Sequence, residues 1–342
     1  MSPQIILSYI STLLLGSAGA FVASYLGMPA PYLVGPSACV TLGGLLGLRL
    51  AVPVLLRNAA FLSVGLSMGS GVTPEVLQAA AAWPASFAMV LVTTVLLLVV
   101  ADRILRTVFR YDGVTAMLAA CPGHLSYVLS LAAGMKSDLP SVGIIQSVRV
   151  LALTLLVPLI VEVNGLATSD VVGLPTAVAP LPLLLMAVPA LALGLGLLRL
   201  RVPAALLVGG MLVSSFAHLS GLVTGPIPQW LQIPVYVVLG SMIGTRFSGV
   251  ALADLRRALV AGIAVTVLAG SVSACMALLV STVLDVPLAA ALIAFAPGGL
   301  ETMAAMAVIM HADPAYVGTH HILRLVFLSV LMPVVLARRS RS

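Results

Sequence analysis

CPGHLSYVLSLAAGMKSDLPSVGIIQSVRVLALTLLVP, residues 121–158, and APGGLETMAAMAVIMHADPAYVGTHHILRLVFLSVLMP, residues 296–333, are two versions of one stretch. A shift of 175 lays residues 121–161 over 296–336 without a gap, with 12 identities in 41 positions. Leu and Ala can coincide by chance in so apolar a chain. Pro122/Pro297, Gly123/Gly298, Asp138/Asp313, Arg149/Arg324 and Pro158/Pro333 in the same order do not. Upstream, PAPYLVG at 29–35 answers PAALLVG at 203–209, and Gly65 and Gly69 answer Gly240 and Gly244. The chain therefore reads as two homologous repeats, 1–165 and 178–342, joined by a linker at 166–177.

The 342 residues are 61% apolar, against roughly 45–50% in a soluble domain. With 16 basic and 10 acidic residues there is too little polar surface to keep the chain in water. A soluble enzyme, a cytosolic DNA-binding factor and a disordered scaffold are excluded. The net charge of +6 then speaks of lipid headgroups and topology, not nucleic acid. Cys39, Cys121 and Cys275 lie in apolar runs without metal-ligand spacing, so neither a disulfide framework nor a metal site is indicated. The opening MSPQ followed by the run from Ile5 to Leu26 lacks a basic n-region and reads as a first spanning helix.

Twelve apolar segments fall near 5–26, 32–50, 54–72, 79–101, 113–135, 140–162, 178–198, 204–222, 231–247, 257–283, 286–310 and 315–337. Two carry Pro-Gly at their centre, which removes a backbone donor and frees the chain, splitting a helix into two arms. Arms of about 11 residues span roughly half a bilayer, so each broken segment is either an unwound crossing helix or a re-entrant hairpin. If all twelve segments cross, the loop basics divide eight to six. If the broken segments are hairpins, each repeat crosses five times, the repeats are inverted, and all fourteen loop basics share one face with both termini. The positive-inside rule selects the second arrangement. The expected fold is an all-α polytopic membrane protein of two inverted repeats, each of about five transmembrane helices plus a broken or re-entrant Pro-Gly segment. Both termini are expected inside, in a bacterial inner membrane. By fold-level analogy this is secondary-transporter architecture.

Arg149 and Arg324 stand about ten residues into the last segment of each repeat, near mid-membrane, where a charge must face a cavity or a partner. They are candidates for binding an anionic solute, or else cap the hairpin carbonyls. Pro122, Gly123, His124, Ser126, Pro297, Gly298 and Gly299 form the breaks. Gln146 aligns with His321. Together these are the candidate substrate-binding residues. Glu301 follows the second break and, with His320, is the candidate for proton coupling; an ion pair between Glu301 and Arg324 is the alternative. Adjacent His320 and His321 must point to different helix faces. Asp138 and Asp313 read as helix caps.

The paired PAPYLVG and PAALLVG openings and the CPGHLS and APGGLETMAAMA breaks, each followed by Asp and an apolar helix with Arg, resemble the AbrB membrane-protein family over nearly the whole chain. The resemblance implies a branch of the cation–proton antiporter and anion transporter folds. It also brings two names, ammonia monooxygenase and regulator of gene expression. Five scattered histidines and one intramembrane Glu are not a convincing ligand set for the first. The second fits an indirect effect of a membrane protein, because no DNA-binding domain is present. The expected function is proton-coupled transport of a small anionic or zwitterionic solute, with no cofactor. The lipid bilayer and that solute are the partners, without nucleic acid; a homo-oligomer is left open.

Overall fold

The computed structural model describes residues 3–123, 125–133, 135–166, 176–250 and 252–339, and every regular element among them is helical. The chain begins with α1 (Pro3–Tyr25), α2 (Pro31–Leu45) and α3 (Val54–Gly69). Next come α4 (Pro74–Ala79), which runs through a 3-10 turn into α5 (Trp83–Thr107), then α6 (Gly113–Ala120), α7 (Leu125–Ala133) and α8 (Leu139–Val163). After residues 167–175 of the expected linker, which lie outside the described residues, follow α9 (Pro180–Arg199), α10 (Ala205–Leu219) and α11 (Gln229–Gly244). A 3-10 turn at Thr245–Phe247 leads to α12 (Leu252–Leu284), α13 (Leu288–Phe295), α14 (Leu300–Ile309) and α15 (Pro314–Arg339).

Among the described residues, six helical stretches are long and apolar enough to cross a bilayer: Pro3–Tyr25, Pro74–Thr107, Leu139–Val163, Pro180–Arg199, Arg256–Leu284 and Pro314–Arg339. Their outward sides are apolar, with Phe21, Leu184 and Val330 exposed, as helix faces against hydrocarbon must be. This is a multi-pass membrane protein. The other expected spans are shorter than the apolar runs suggest. α2, α3, α10 and α11 have 15 or 16 residues, roughly 22–24 Å. The run 32–50 stops being helical at Leu45, because Gly47 takes a positive φ of 91° and an extended stretch leads to Pro53. That stretch is held by Ser248 Oγ on the Leu50 amide (2.9 Å) and Thr12 Oγ1 on the Ala51 amide (2.9 Å). The broken arms are also shorter than 11 residues: 8 and 9 in α6 and α7, 8 and 10 in α13 and α14. Proline and glycine end them where the sequence predicts.

Helix boundaries recur at the sequence offset. A shift of 175 carries 54–69 onto α11, 113–120 onto α13 and 139–163 onto all but the last residue of α15. The PAPYLVG and PAALLVG motifs share a local cause. Ala30 (φ 48°) and Ala204 (φ 52°) both adopt the left-handed conformation just before α2 and α10, a strained setting for a residue with a Cβ.

Glycines set the packing of the four short helices. A Cβ on Gly65 would stand 2.1 Å from the Leu207 carbonyl oxygen, and one on Gly69 2.5 Å from that of Met211. α3 and α10 thus run side by side in the same direction. One on Gly240 would stand 2.4 Å from the Leu33 carbonyl oxygen, and one on Gly244 2.6 Å from Val40 Cβ; α11 and α2 are likewise parallel. Such contacts are what small residues provide where apolar burial gives no driving force. Arg57 and Asn58, at the start of α3, share a cavity with Met242 at the end of α11. Gln232, at the start of α11, approaches Ser67 near the end of α3.

The ends of the long helices are fixed by polar contacts. Arg339, at the end of α15, donates to both carboxylate oxygens of Asp102 (2.7 Å each) and to the Gly113 carbonyl (2.9 Å). The amide of Asp138, just before α8, donates to Thr115 Oγ1 at 2.9 Å. The end of α15 and the start of α8 therefore both lie at the start of α6. Arg257 joins this end of the molecule by donating to the Phe109 carbonyl (3.1 Å from Nε) and stacking over Tyr111. At the opposite end, Pro314 at the start of α15 abuts Gly71 beyond α3.

Candidate functional site

Each break frees carbonyls at a helix end deep in the protein, where no water can satisfy them and each unpaired group costs several kcal/mol. After α6, Gln146 Nε2 donates to the carbonyls of Leu118 (2.9 Å) and Cys121 (2.8 Å), and Arg149 Nη2 to that of Cys121 (3.1 Å). Arg149 Nη2 also donates to Gln146 Oε1. After α13, His321 Nε2 donates to the Ile293 carbonyl (3.0 Å) and Arg324 Nη1 to that of Ala296 (3.1 Å). A carbonyl only accepts, so Nε2 carries the hydrogen and Nδ1 of the neutral ring accepts from Arg324 Nη2. Gln146 and His321 thus do the same work at matched positions, and the guanidiniums lie at the negative ends of two half-helix dipoles.

Arg149 and Arg324 are 1% and 2% exposed, and Arg324 feels the charge of Arg149. The two arginines differ at Nε. Arg149 Nε donates to the Pro297 carbonyl at 3.0 Å, in the other break, whereas Arg324 Nε is buried without a hydrogen-bond partner among the described residues. Pro122 and Gly123 are buried beside this pair, with Gly123 facing Leu328. Gly298 faces Met303, and Gly299 lies against Thr302 and Glu301. His124 and the side chain of Ser126 lie outside the described residues.

Glu301, on the first turn of α14, is 3% exposed. It lines a cavity of about 560 Å³ together with Arg57, Asn58, Phe61, Thr245 and Arg246. Its carboxylate acts electrostatically on Arg246, and Arg246 Nη1 is buried without a hydrogen-bond partner among the described residues. Arg57 leans on Asn58 Oδ1 at 3.4 Å. Three helices, α3, α10 and α14, begin at this cavity, so their positive dipole ends add to the two arginines. An anionic group is the chemistry such a site accommodates. Of these residues the sequence singles out Glu301, and it reads Asn58, with Gly65, Gly69, Gly240 and Gly244, as close helix packing or a thinned cavity wall. Arg57 and Arg246 were counted with the loop basics. The usable signal was Arg-Asn at the head of an otherwise apolar run, where a packing helix has no need of either.

His320 points away from His321, as adjacency requires. Its Nδ1 donates to the Tyr316 carbonyl (2.7 Å), so in the neutral ring Nε2 accepts from Ser86 Oγ (2.8 Å). Ser86 in turn meets the Tyr316 hydroxyl. Trp83, Phe87 and Phe295 wall this triad in. Asp138 Oδ1 accepts from the Ser141 amide (3.1 Å), and Asp313 Oδ1 from the amides of Ala315 and Tyr316 (3.0 Å each), so both carboxylates cap helices.

Residues 32–339 match the family described as "Transition state regulatory protein AbrB". The "Uncharacterized protein YhjN" of Bacillus subtilis is 25% identical over 346 residues, covering 93% of this chain and 90% of its own. The "Putative regulator AbrB" of Escherichia coli is 27% identical over 314 residues, covering 90% of this chain and 89% of its own. No solved structure matches. With the match running through both Pro-Gly breaks and both buried arginines, the chain belongs to the AbrB family of multi-pass membrane proteins.

Proposed function

We propose that this protein is a proton-coupled secondary transporter, in the bacterial inner membrane, of a small anionic or zwitterionic solute. The observation that carries the reading is the opposed direction of corresponding helices. α3 begins beside the end of its counterpart α11, and α8 begins at the end of the molecule where its counterpart α15 finishes. Two repeats, 1–165 and 178–342, related in this way are inverted, and inverted repeats can exchange inward-open and outward-open shapes about one site.

The breaks support re-entrant hairpins. α13 keeps step with α15, Ile293 by His321 and Ala296 by Arg324. α14 starts near the head of α3 and leads to Pro314 at the far end of α3, so it returns along the path α13 entered. The cavity lies toward the end of the molecule bearing Arg57, Arg246, Arg257 and Arg339. Under the positive-inside rule that end is cytoplasmic, with both termini inside.

In this reading Glu301 carries the proton, and His320, the second proton-coupling candidate, reaches it only if its aromatic surround opens. Arg149, Arg324, Gln146 and His321 hold Pro122, Gly123, Pro297, Gly298 and Gly299 in the shape the solute meets; His124 and Ser126 belong to the first of these tips. The regulator in a relative's name fits an indirect effect of a transported solute. The test is uptake into proteoliposomes under an imposed pH gradient across a broad panel of organic anions and amino acids. At least one solute should accumulate, and Glu301→Gln and Arg324→Ala should abolish its uptake. Absence of solute-dependent flux across the panel would overturn the reading.

A further inference from the structure

Resting on that reading, we infer that the solute binds in the cavity at the heads of α3, α10 and α14, and that it is a monocarboxylate with an apolar body, its carboxylate held by Arg57 and Arg246. Arg246 lines this cavity of about 560 Å³ yet keeps a buried donor, Nη1, without a hydrogen-bond partner among the described residues. A buried guanidinium donor left unpaired is costly, so it marks where an acceptor belongs. Arg57 reaches the same cavity from the first turn of α3 and is exposed, its Nε and Nη2 resting on Asn58 Oδ1 at a slack 3.4 Å. It is therefore free to turn to a better acceptor without disturbing the fold. A planar two-oxygen anion is the natural partner of a guanidinium fork, and the three helix N-termini favour the same sign.

Charge limits the solute to one carboxylate. The lining carries two guanidiniums and the carboxylate of Glu301, which already acts electrostatically on Arg246. Two cations thus match two carboxylates, one from the protein and one from the solute, and Glu301 need not change its charge. A second carboxylate on the solute would lie in the cavity without a cation of its own, which is costly. An ammonium group would enter among two arginines and three positive helix ends, which disfavours a zwitterion. Phe61, Leu198, Leu206 and Met242 give the cavity an apolar wall that rewards added methylenes and suits an organic anion better than inorganic phosphate. The same chemistry is offered by a short acid in water and by a fatty acid in the bilayer, and we commit to the short acid because exposed Arg57 stands at the cavity.

The test is calorimetric titration of the purified full-length protein in detergent with acetate, butyrate, hexanoate, dodecanoate, hexanamide, succinate, norleucine and inorganic phosphate as probes. Affinity should rise about two- to fourfold per methylene from acetate to hexanoate. Hexanamide, succinate, norleucine and phosphate should bind at least about tenfold more weakly than hexanoate. Arg57→Gln and Arg246→Gln should each weaken hexanoate about tenfold or more, and Phe61→Ala should flatten the chain-length series. Arg338→Gln, an exposed arginine at the same end of the molecule, should change nothing. Should Arg246→Gln fail to fold, Arg57→Gln and the wild-type series decide. Binding of dodecanoate and none of the short acids would mean a ligand from the bilayer and overturn the inference. So would hexanamide binding as well as hexanoate, a preference for succinate, norleucine or phosphate, no binding of any probe, or hexanoate binding that is indifferent to Arg57→Gln. Hexanoate that binds as expected while no solute accumulates in proteoliposomes supports this site and contradicts the transport reading. Accumulation of a solute that is indifferent to both Arg57→Gln and Arg246→Gln contradicts the inference alone.

Discussion

Arg149 Nε donates to the carbonyl of Pro297 at 3.0 Å, so an arginine on α8 closes the break that follows α13. Among the described residues its counterpart Arg324 has no such bond from Nε. In an alternating-access cycle, contacts made on one side of a pseudo-symmetric pair are the ones exchanged. Arg149→Gln should therefore weaken the form described above. The Pro297 carbonyl would lose its donor, at about 1–3 kcal/mol, while the Cys121 carbonyl keeps Gln146 Nε2, and a cysteine at Asn58→Cys in the cavity should react more slowly with a thiol reagent in inside-out vesicles. Unchanged labelling and melting temperature would contradict the assignment.

Gly65 and Gly240 set the approach of α3 to α10 and of α11 to α2. Gly65→Ala places a Cβ 2.1 Å from the Leu207 carbonyl oxygen and Gly240→Ala one 2.4 Å from that of Leu33, so both should lower the melting temperature or prevent folding. Gly196→Ala on α9 meets nothing within 4 Å and should be neutral or stabilising by up to about 1 kcal/mol. Equal effects of all three would refute the packing argument.

Ser86 joins Tyr316 to His320 in a closed apolar setting. Ser86→Ala strands the Tyr316 hydroxyl and His320 Nε2, and should destabilise by about 1–3 kcal/mol. Adding Tyr316→Phe should cost less than the sum of the two single changes, because one stranded group is removed with it. A double-mutant cycle by thermal unfolding reads the difference; strict additivity would mean that the two residues do not share a network.

Asp112 caps α6, accepting from the amides of Val114 (3.0 Å) and Thr115 (2.9 Å). Desolvation pushes its carboxyl up, but the Thr115 hydroxyl and the amides together hold it below the ordinary carboxylate value. A depressed folded value contributes stability that is present above the unfolded value and lost as pH falls through the folded one. Asp112→Ala should cost about 0.5–2 kcal/mol at neutral pH, and the deficit should shrink below about pH 4. Melting temperatures of the pair against pH test this; a deficit that grows in acid would be the wrong sign.

The membrane class, the positions of both breaks and the kinship of Arg149 with Arg324 were legible in the sequence, because each is a local property repeated 175 residues apart. Helix lengths were not. Hydropathy cannot separate an apolar helix from the apolar extended stretch that follows it, and residues 46–53 are such a stretch, held by Thr12 and Ser248 from elsewhere. The cavity was hidden for a similar reason. Arg57 and Arg246 lie 189 positions apart and meet only because α3 begins where α11 ends. Gln146 and His321 were aligned from sequence, but that two different side chains perform one capping task appears only when their carbonyl partners are seen.

The opposed direction of the two repeats is the claim on which the transport reading stands, and cysteine accessibility tests it most directly. In a background without Cys39, Cys121 and Cys275, Lys136→Cys and His311→Cys are probed separately on intact cells with an impermeant thiol reagent. Both native residues are exposed, at the turns just before α8 and α15. The account predicts labelling at 311 and none at 136 until the membrane is permeabilised. Labelling from outside at both positions, or at neither, would put the two turns on one face and contradict the inverted repeat.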